Sequence, residues 1–170
     1  MTDAPATLLP PELIDKAREV VEANRAAGRT IALAESCTGG LVSAAITEIS
    51  GSSDVFEVGY VTYSNAAKVD QLKVSSDVVE TFGAVSVATA WAMARGALAA
   101  SEADVAVAIT GIAGPGGGTP GKPVGTVVFA RAERDGDPAK IVADQKLFDE
   151  ETRAGVRFQA TLCALELLMP

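Results

Sequence analysis

The sequence predicts a single three-layer α/β/α domain with a mixed β-sheet and helices on both of its faces. Two short apolar runs, residues 31–34 and 105–109, lack polar alternation, which is typical of strands buried on both faces. Amphipathic segments separate these runs along the chain, as in other α/β folds. The 170 residues suffice for one domain with a substantial core. We expect it to span residues 1–170, with a flexible N-terminal lead over residues 1–10.

The first half of the chain predicts helices and strands in turn. Residues 10–28 form an amphipathic helix that ends at a glycine, and the strand at 31–34 follows it. The inward stripe of this helix is Leu13, Ala17, Val20, Val21 and Asn24. Thr38 is expected to cap a second helix. That helix is expected to stop at Gly51 and to turn inward Leu41, Ala44, Ala45 and Ile49. A second strand is expected over residues 55–63, and short helices are expected over residues 66–72 and 77–82.

The second half predicts two helices around three strands. Ser86 caps an alanine-rich helix over residues 87–100, in which Trp91 is expected to face the core. After the strand at 105–109 come strands over residues 124–131 and 140–148, joined by a turn at 135–138. Asp149 is expected to cap the last helix, with Glu150 and Glu151 in its first turn. The inward stripe of this helix is Val156, Ala160, Cys163, Ala164, Leu167 and Leu168.

Composition excludes several classes of function. The chain has 14 basic and 22 acidic residues, a net charge of −8, so we expect no nucleic-acid or membrane partner. It has no histidine, which excludes Ser-His-Asp and Cys-His catalysis and every histidine-containing metal site. Its two cysteines cannot form a thiolate zinc site in one chain. The start of the chain lacks a basic signal region and no apolar run is long enough to cross a membrane, so we expect a cytoplasmic protein.

A candidate nucleophile lies where the first buried strand meets the second helix. Ser36 sits within the segment 35–40, and unpaired N–H groups at a helix N-terminus can stabilise an oxyanion. The alternative is a serine or threonine that only caps the helix. Cys37 is the second candidate, although such a thiol is more often a small buried filler.

A candidate base follows the second strand. A desolvated Lys68 with a lowered pKa can accept a serine proton, and the Tyr63 hydroxyl can relay or orient it. The alternatives are that Lys68 is a solvated helix lysine and that Asn65 is a helix cap rather than a ligand contact.

Five ordered segments together resemble the CinA C-terminal domain family. The resemblance covers nearly the whole chain, from about residue 11, and rests on segments 34–40, 63–65 with Lys68, 83–86, 110–115 and 122–126. It implies nicotinamide-nucleotide amidohydrolase activity, which converts nicotinamide mononucleotide (NMN) to nicotinate mononucleotide and ammonia in pyridine-nucleotide recycling. It also implies that Ser36 is the nucleophile, with assistance from Lys68 and Tyr63, and no metal or cofactor. Longer CinA proteins carry a further N-terminal domain, which we do not expect here.

The residues expected to bind the substrate come from the glycine-rich segments and from nearby cations. N–H groups around Thr38 and Gly39 are expected to hold the oxyanion. The phosphate is expected to meet the loop at 111–118 or a cation, the candidates being Lys122, Arg153 and Arg157. The full set of predicted substrate-binding residues is Thr38, Gly39, Gly40, Asn65, Thr110, Gly111, Gly114 and Lys122.

Other functions remain open from the residues alone. A nucleotide-binding or sensor module without catalysis would use the same loops, and a serine amidase could act on another small carboxamide. A short-chain dehydrogenase is disfavoured because its Tyr-x-x-x-Lys motif requires a lysine where Ala67 stands. We also expect a homo-oligomer, most simply a dimer, with the apolar faces of the two terminal helices and of the 87–100 helix available for its interface.

Overall fold

The computed structural model describes residues 6–170, which are built around one mixed sheet. Its spatial order is β2-β1-β3-β4-β5. The strands are β1 (Ile31–Glu35), β2 (Phe56–Val61), β3 (Val105–Gly111), β4 (Thr126–Glu133) and β5 (Val142–Leu147). Strands β2, β1 and β3 are parallel, whereas β4 and β5 continue the sheet antiparallel. The predicted mixed sheet is confirmed. Of the N-terminal lead predicted over residues 1–10, residues 1–5 lie outside the described part.

In the described part of the chain, six α-helices cover the two faces of this sheet. They are α1 (Pro11–Ala26), α2 (Leu41–Thr47), α3 (Asn65–Leu72), α4 (Ser76–Phe82), α5 (Val87–Ala99) and α6 (Arg153–Leu167). Helices α1, α2 and α6 enclose one core with the sheet, and α3, α4 and α5 enclose the other. The predicted three-layer architecture is therefore confirmed. Within residues 6–170, no helix is both long and apolar enough to cross a membrane.

Both cores use the apolar stripes read from the sequence. Every residue of the predicted α1 stripe is buried, and this stripe packs against α6. Helix α5 buries its small and apolar side chains against the sheet, and Trp91 packs half-buried at the margin of that core. The helix faces that we expected to be free for a subunit interface are thus occupied within the chain itself.

Several details of the predicted elements are wrong, among them the end of α2, which lies at Thr47 rather than at Gly51. Helix α2 begins after Gly40, not at a Thr38 cap, because the Thr38 hydroxyl donates to the Glu35 carboxylate instead. Ala44 is exposed, and Val42 and Ile46 supply the buried face of α2 together with Ala45.

The last helix also starts later than predicted. Its cap is Thr152, whose hydroxyl accepts from the Gly155 N–H, and not Asp149. The Phe148 N–H still donates to the Gly125 carbonyl, which keeps the chain extended beside β4 up to that point. Asp149, Glu150 and Glu151 therefore lie in the connection that leads to α6, and the prediction of two glutamates in its first turn is wrong.

A close helix crossing fixes α3 in place. Gly96 of α5 lies against the Leu72 carbonyl at the end of α3, so close that a Cβ atom would overlap it. The two helices approach at this point because Gly96 has no side chain. Since α3 carries Lys68 four residues earlier, this contact helps to set the position of that lysine.

Candidate active site

A cleft opens at the carboxyl ends of β1 and β3, where ligands bind in open α/β sheets. Its volume is about 210 Å³. It is lined by Ser36, Cys37, Tyr63, Asn65, Lys68, Ala84, Val85, Thr110, Gly111, Ala113 and Arg153. Parallel strands direct these segments to one edge of the sheet, so residues far apart in sequence meet here.

Ser36 and Lys68 are in direct contact in this cleft. Ser36 follows β1, where its N–H still donates to the Ile109 carbonyl, and Lys68 projects from α3. The Lys68 Nζ atom lies 3.0 Å from Ser36 Oγ, 2.9 Å from the Thr62 carbonyl oxygen and 3.3 Å from the Tyr63 carbonyl oxygen. Only 1% of Lys68 is exposed, so the alternative of a solvated helix lysine is wrong.

Burial disfavours the charged form of this lysine. It lowers the pKa of Lys68, an effect that the nearby Cys37 side chain opposes. A neutral amine has two hydrogens and one lone pair. The carbonyls of Thr62 and Tyr63 can accept both hydrogens, which leaves the lone pair to accept from the Ser36 hydroxyl. This geometry is that of a general base on a serine.

Cys37 is a poor alternative nucleophile. Its side chain is buried, and this burial raises the pKa of the Cys37 thiol to about 11, although backbone N–H groups of Cys37 and Thr38 oppose the rise. The sulfur therefore stays protonated near neutral pH and packs close to Gly111.

Sequence reasoning missed Glu35, the last residue of β1. Its carboxylate is fully buried and accepts from the Thr38 and Ser43 hydroxyls and from three N–H groups at the start of α2. Those N–H groups belong to Gly40, Val42 and Ser43. Glu35 thus joins the strand to the helix and neutralises the helix N-terminus beside Ser36. The available signal was a carboxylate directly after a buried strand and before a glycine-rich helix start.

The backbone around Ser36 leaves a restricted set of donors for an oxyanion. The Gly39 N–H donates to the Ser36 carbonyl, and the Gly40 N–H donates to Glu35. Within residues 6–170, the N–H groups of Cys37 and Thr38 donate to no oxygen.

Arg157 holds the other side of this turn. Its guanidinium donates to the carbonyl oxygens of Cys37 and Thr38, each at 3.1 Å. The Cys37 C=O and the Thr38 N–H belong to one trans peptide and point in opposite directions. Arg157 therefore fixes the orientation of the Thr38 N–H. Its Nε and Nη2 atoms already donate to backbone carbonyls of the protein.

Tyr63 and Arg153 form a separate pair at the mouth of the cleft. Arg153 donates to the Tyr63 hydroxyl at 2.7 Å and to the Gly114 carbonyl at 2.7 Å. The Tyr63 side chain is 59% exposed, and its hydroxyl contacts Arg153 rather than Ser36 or the Lys68 amine. The contacts therefore favour direct proton transfer between Ser36 and Lys68 over a relay through this phenol.

The structure brings together only part of the predicted substrate-binding set. Asn65, Thr110 and Gly111 line the cleft, and Asn65 is the first residue of α3 rather than its cap, which is Ser64. The residues outside the cleft lining are Thr38, Gly39, Gly40, Gly114 and Lys122. The Lys122 amine instead donates to the Phe82 carbonyl at 3.1 Å.

Comparison with known proteins places the chain among close relatives. A family model described as the CinA C-terminal domain matches residues 14–170. The chain is 48% identical over 148 residues to nicotinamide-nucleotide amidohydrolase PncC of Enterobacter agglomerans, covering 87% of this chain and 88% of that protein.

It is also 52% identical over 142 residues to a CinA-like protein of Mycolicibacterium gilvum, covering 84% of this chain and 33% of that longer protein. The solved structure of the competence/damage inducible protein CihA from Agrobacterium tumefaciens matches with a TM-score of 0.90 at 44% identity. That match covers 95% of this chain and 96% of the solved chain.

Proposed function

The chain belongs to the CinA C-terminal domain family, and from this premise we infer that it is a nicotinamide-nucleotide amidohydrolase that converts NMN to nicotinate mononucleotide and ammonia. The observation that carries the chemistry is the contact between Lys68 Nζ and Ser36 Oγ in the cleft. The reaction would serve pyridine-nucleotide recycling. We propose that residues 1–170 act as one domain, in the cytoplasm and as a homo-oligomer.

The first half of the proposed mechanism forms an acyl-enzyme. Neutral Lys68 takes the Ser36 proton while Oγ attacks the carboxamide carbon, and the carbonyl oxygen becomes an oxyanion. The N–H groups of Cys37 and Thr38 stabilise that charge, in place of the Gly39 N–H that already binds the Ser36 carbonyl. Lys68 then protonates the leaving nitrogen, the C–N bond breaks and ammonia departs.

The second half reverses these roles with water. Lys68 takes a proton from water, and the resulting hydroxide oxygen attacks the acyl carbon. The bond between this carbon and Ser36 Oγ breaks, and the lysine returns its proton to the serine. The product is the carboxylic acid of nicotinate mononucleotide, which releases its proton to water and leaves as the carboxylate. The steps require no metal and no cofactor.

Two cationic groups support binding of an anionic nucleotide to this acidic protein. The cleft is about 210 Å³, a size that suits the amide-bearing end of the substrate and leaves the rest at its mouth. Arg153 lies at that mouth, so we propose that it contacts the nucleotide phosphate. Arg157 contributes through the backbone turn that it holds. Asn65, Thr110 and Gly111 would contact the ring and its amide.

Ammonia release from purified protein tests this proposal, with NMN, nicotinamide, nicotinamide riboside, NAD and glutamine as parallel substrates. We expect release from NMN, and a loss of at least about 10³-fold in Ser36→Ala with an unchanged melting temperature. Release from another amide alone would keep the chemistry and replace the substrate. Binding of NMN without any release would instead indicate a nucleotide-binding module.

A further inference from the structure

Strand β5 is one of the two edge strands of the sheet, and no strand among residues 6–170 covers its outer side. Strand β5 pairs with β4 on one side only. Ile141, Val142 and Leu147 are 55%, 44% and 62% exposed, although each is a large apolar side chain. Exposed edge strands with apolar side chains are templates for pairing with another chain.

The hydrogen-bonding direction of β5 follows from its register. The Phe148 N–H donates to the Gly125 carbonyl, so Phe148 faces β4. Residues along an antiparallel strand alternate between facing one neighbour and facing the other. The N–H and C=O groups of Ala143, Gln145 and Leu147 therefore point away from β4, toward the free edge.

We propose that this edge pairs antiparallel with β5 of a second copy of the chain, across a two-fold axis that passes through Gln145. In this register the outward-facing residues meet in hydrogen-bonding pairs: Gln145 faces the partner's Gln145, and Ala143 faces the partner's Leu147. About six backbone hydrogen bonds join the two chains. The two five-stranded sheets become one continuous sheet.

Charge selects this register and this partner. With Gln145 on the axis, Asp144 lies directly opposite the partner's Lys146, and symmetry repeats the pair. Both side chains lie on the face that carries α6, where Lys146 Nζ is 3.6 Å from Cys163 Sγ. Moving the axis by one residue, to Asp144 or to Lys146, shifts the pairing by two residues and places Asp144 opposite the partner's Asp144 or Lys146 opposite the partner's Lys146. Like charges directly opposite one another are destabilising.

The other sheet edge lacks this complementarity. Strand β2 has one charged residue, Glu57, and no cation, so self-pairing there offers no opposite charge. The whole chain has a net charge of −8, which makes two copies repel. The local pairs of Asp144 and Lys146 lower that repulsion at the contact itself.

Sedimentation velocity on the full chain tests the pairing, and we expect a species of twice 17.3 kDa that dissociates on dilution. Gln145→Pro removes an outward N–H on the proposed axis while leaving the β4 ladder intact, since edge strands tolerate proline on their solvent side. It is expected to give a monomer with an unchanged far-UV circular dichroism spectrum.

Reversing the charges of Asp144 and Lys146 provides a second, independent test of the pairing. Asp144→Lys and Lys146→Asp each place like charges opposite one another and are expected to be monomeric, whereas an equimolar mixture of the two variants restores a dimer. Asp15→Lys, a change of the same size at an exposed site on α1, is the matched control and should stay dimeric. A wild-type monomer at all concentrations, or a dimer that survives both Gln145→Pro and Asp144→Lys, would overturn the proposal.

Discussion

Lys68 contacts Ser36 without any compensating negative charge. The Nζ atom lies 3.0 Å from Ser36 Oγ, and among residues 6–170 no carboxylate forms an ion pair with it. The carboxylate nearest in sequence to Ser36 belongs to Glu35, and it is instead engaged by the start of α2. The amine therefore experiences burial without a counter-ion, which is the condition that favours a neutral lysine.

Activity should follow the loss of the Lys68 proton. Burial lowers the pKa of Lys68 from its ordinary value of 10.5, and only the neutral amine can accept the Ser36 proton. We expect kcat/KM to rise with pH and to reach its plateau below pH 10.5. A profile that falls over the same range would contradict this role for Lys68.

Lys68→Arg should abolish this base, because it replaces an amine that can be neutral with a permanent cation. A guanidinium does not lose its proton at any usable pH, so we expect a loss of about 10²–10⁴-fold. Lys140→Arg, at an exposed site outside the cleft, is the matched control and should retain full activity. The measurement is the rate of ammonia release from NMN at the pH of the wild-type plateau.

The same lysine should make stability depend on pH. Because its pKa is lower in the folded protein than in the unfolded chain, the unfolded chain binds more protons between those two pKa values. The free energy of unfolding therefore rises with pH across that window and levels off above about 10.5. The measurement is urea denaturation of wild type and Lys68→Met between pH 7 and pH 10. The free energy of unfolding of wild type should rise with pH relative to that of the variant. The exposed Lys140→Met variant should show no such trend.

Removing the Cys37 thiol beside Ser36 should preserve catalysis. Burial raises the pKa of Cys37 to about 11, so at pH 7.5 the side chain acts as a small apolar group. We expect Cys37→Ala to keep activity within about tenfold and to lose about 1 kcal/mol of stability from the space it leaves. Cys163→Ala on α6 controls for the loss of a thiol elsewhere. Loss of turnover as complete as that of Ser36→Ala would make the cysteine the nucleophile.

Glu35 is expected to stabilise the fold rather than to take part in the reaction. Its carboxylate accepts from Thr38, Gly40, Val42 and Ser43, and an amide cannot accept at both ends. Glu35→Gln should lower the free energy of unfolding by about 1–3 kcal/mol. Chemical denaturation measures this cost, and the exposed Glu80→Gln provides the matched control.

The strands and helix stripes could be predicted because periodicity and burial follow from local sequence. The runs at 31–34 and 105–109 became fully buried strands, and Ser86 caps α5 as expected. Ser36 and Lys68 were also identified as candidates from residue types at strand ends. Lys68 was also expected to act on Ser36, but the geometry of their contact could not be predicted, since it depends on the docking of α3 against α5 at Gly96.

Other features of the site depend on tertiary contacts that no local pattern contains. A glutamate after a strand is usually solvated, and Glu35 is buried only because α2 presents its N–H groups to it. Thr38 does not cap α2 because its hydroxyl donates to this buried Glu35 carboxylate. The division of roles between Arg153 and Arg157, four residues apart on α6, depends on which loops lie opposite each of them.

The occupied start of α2 has a consequence for how the protein responds to ionic strength. A helix N-terminus commonly attracts a soluble anion, but here the protein's own Glu35 fills that position. The proposed phosphate contact is then with exposed guanidinium groups such as Arg153, whose attraction weakens as salt is added. Proton transfer between a neutral amine and a hydroxyl in a buried contact is hardly screened. Salt should therefore weaken substrate capture while leaving the turnover of bound substrate nearly constant.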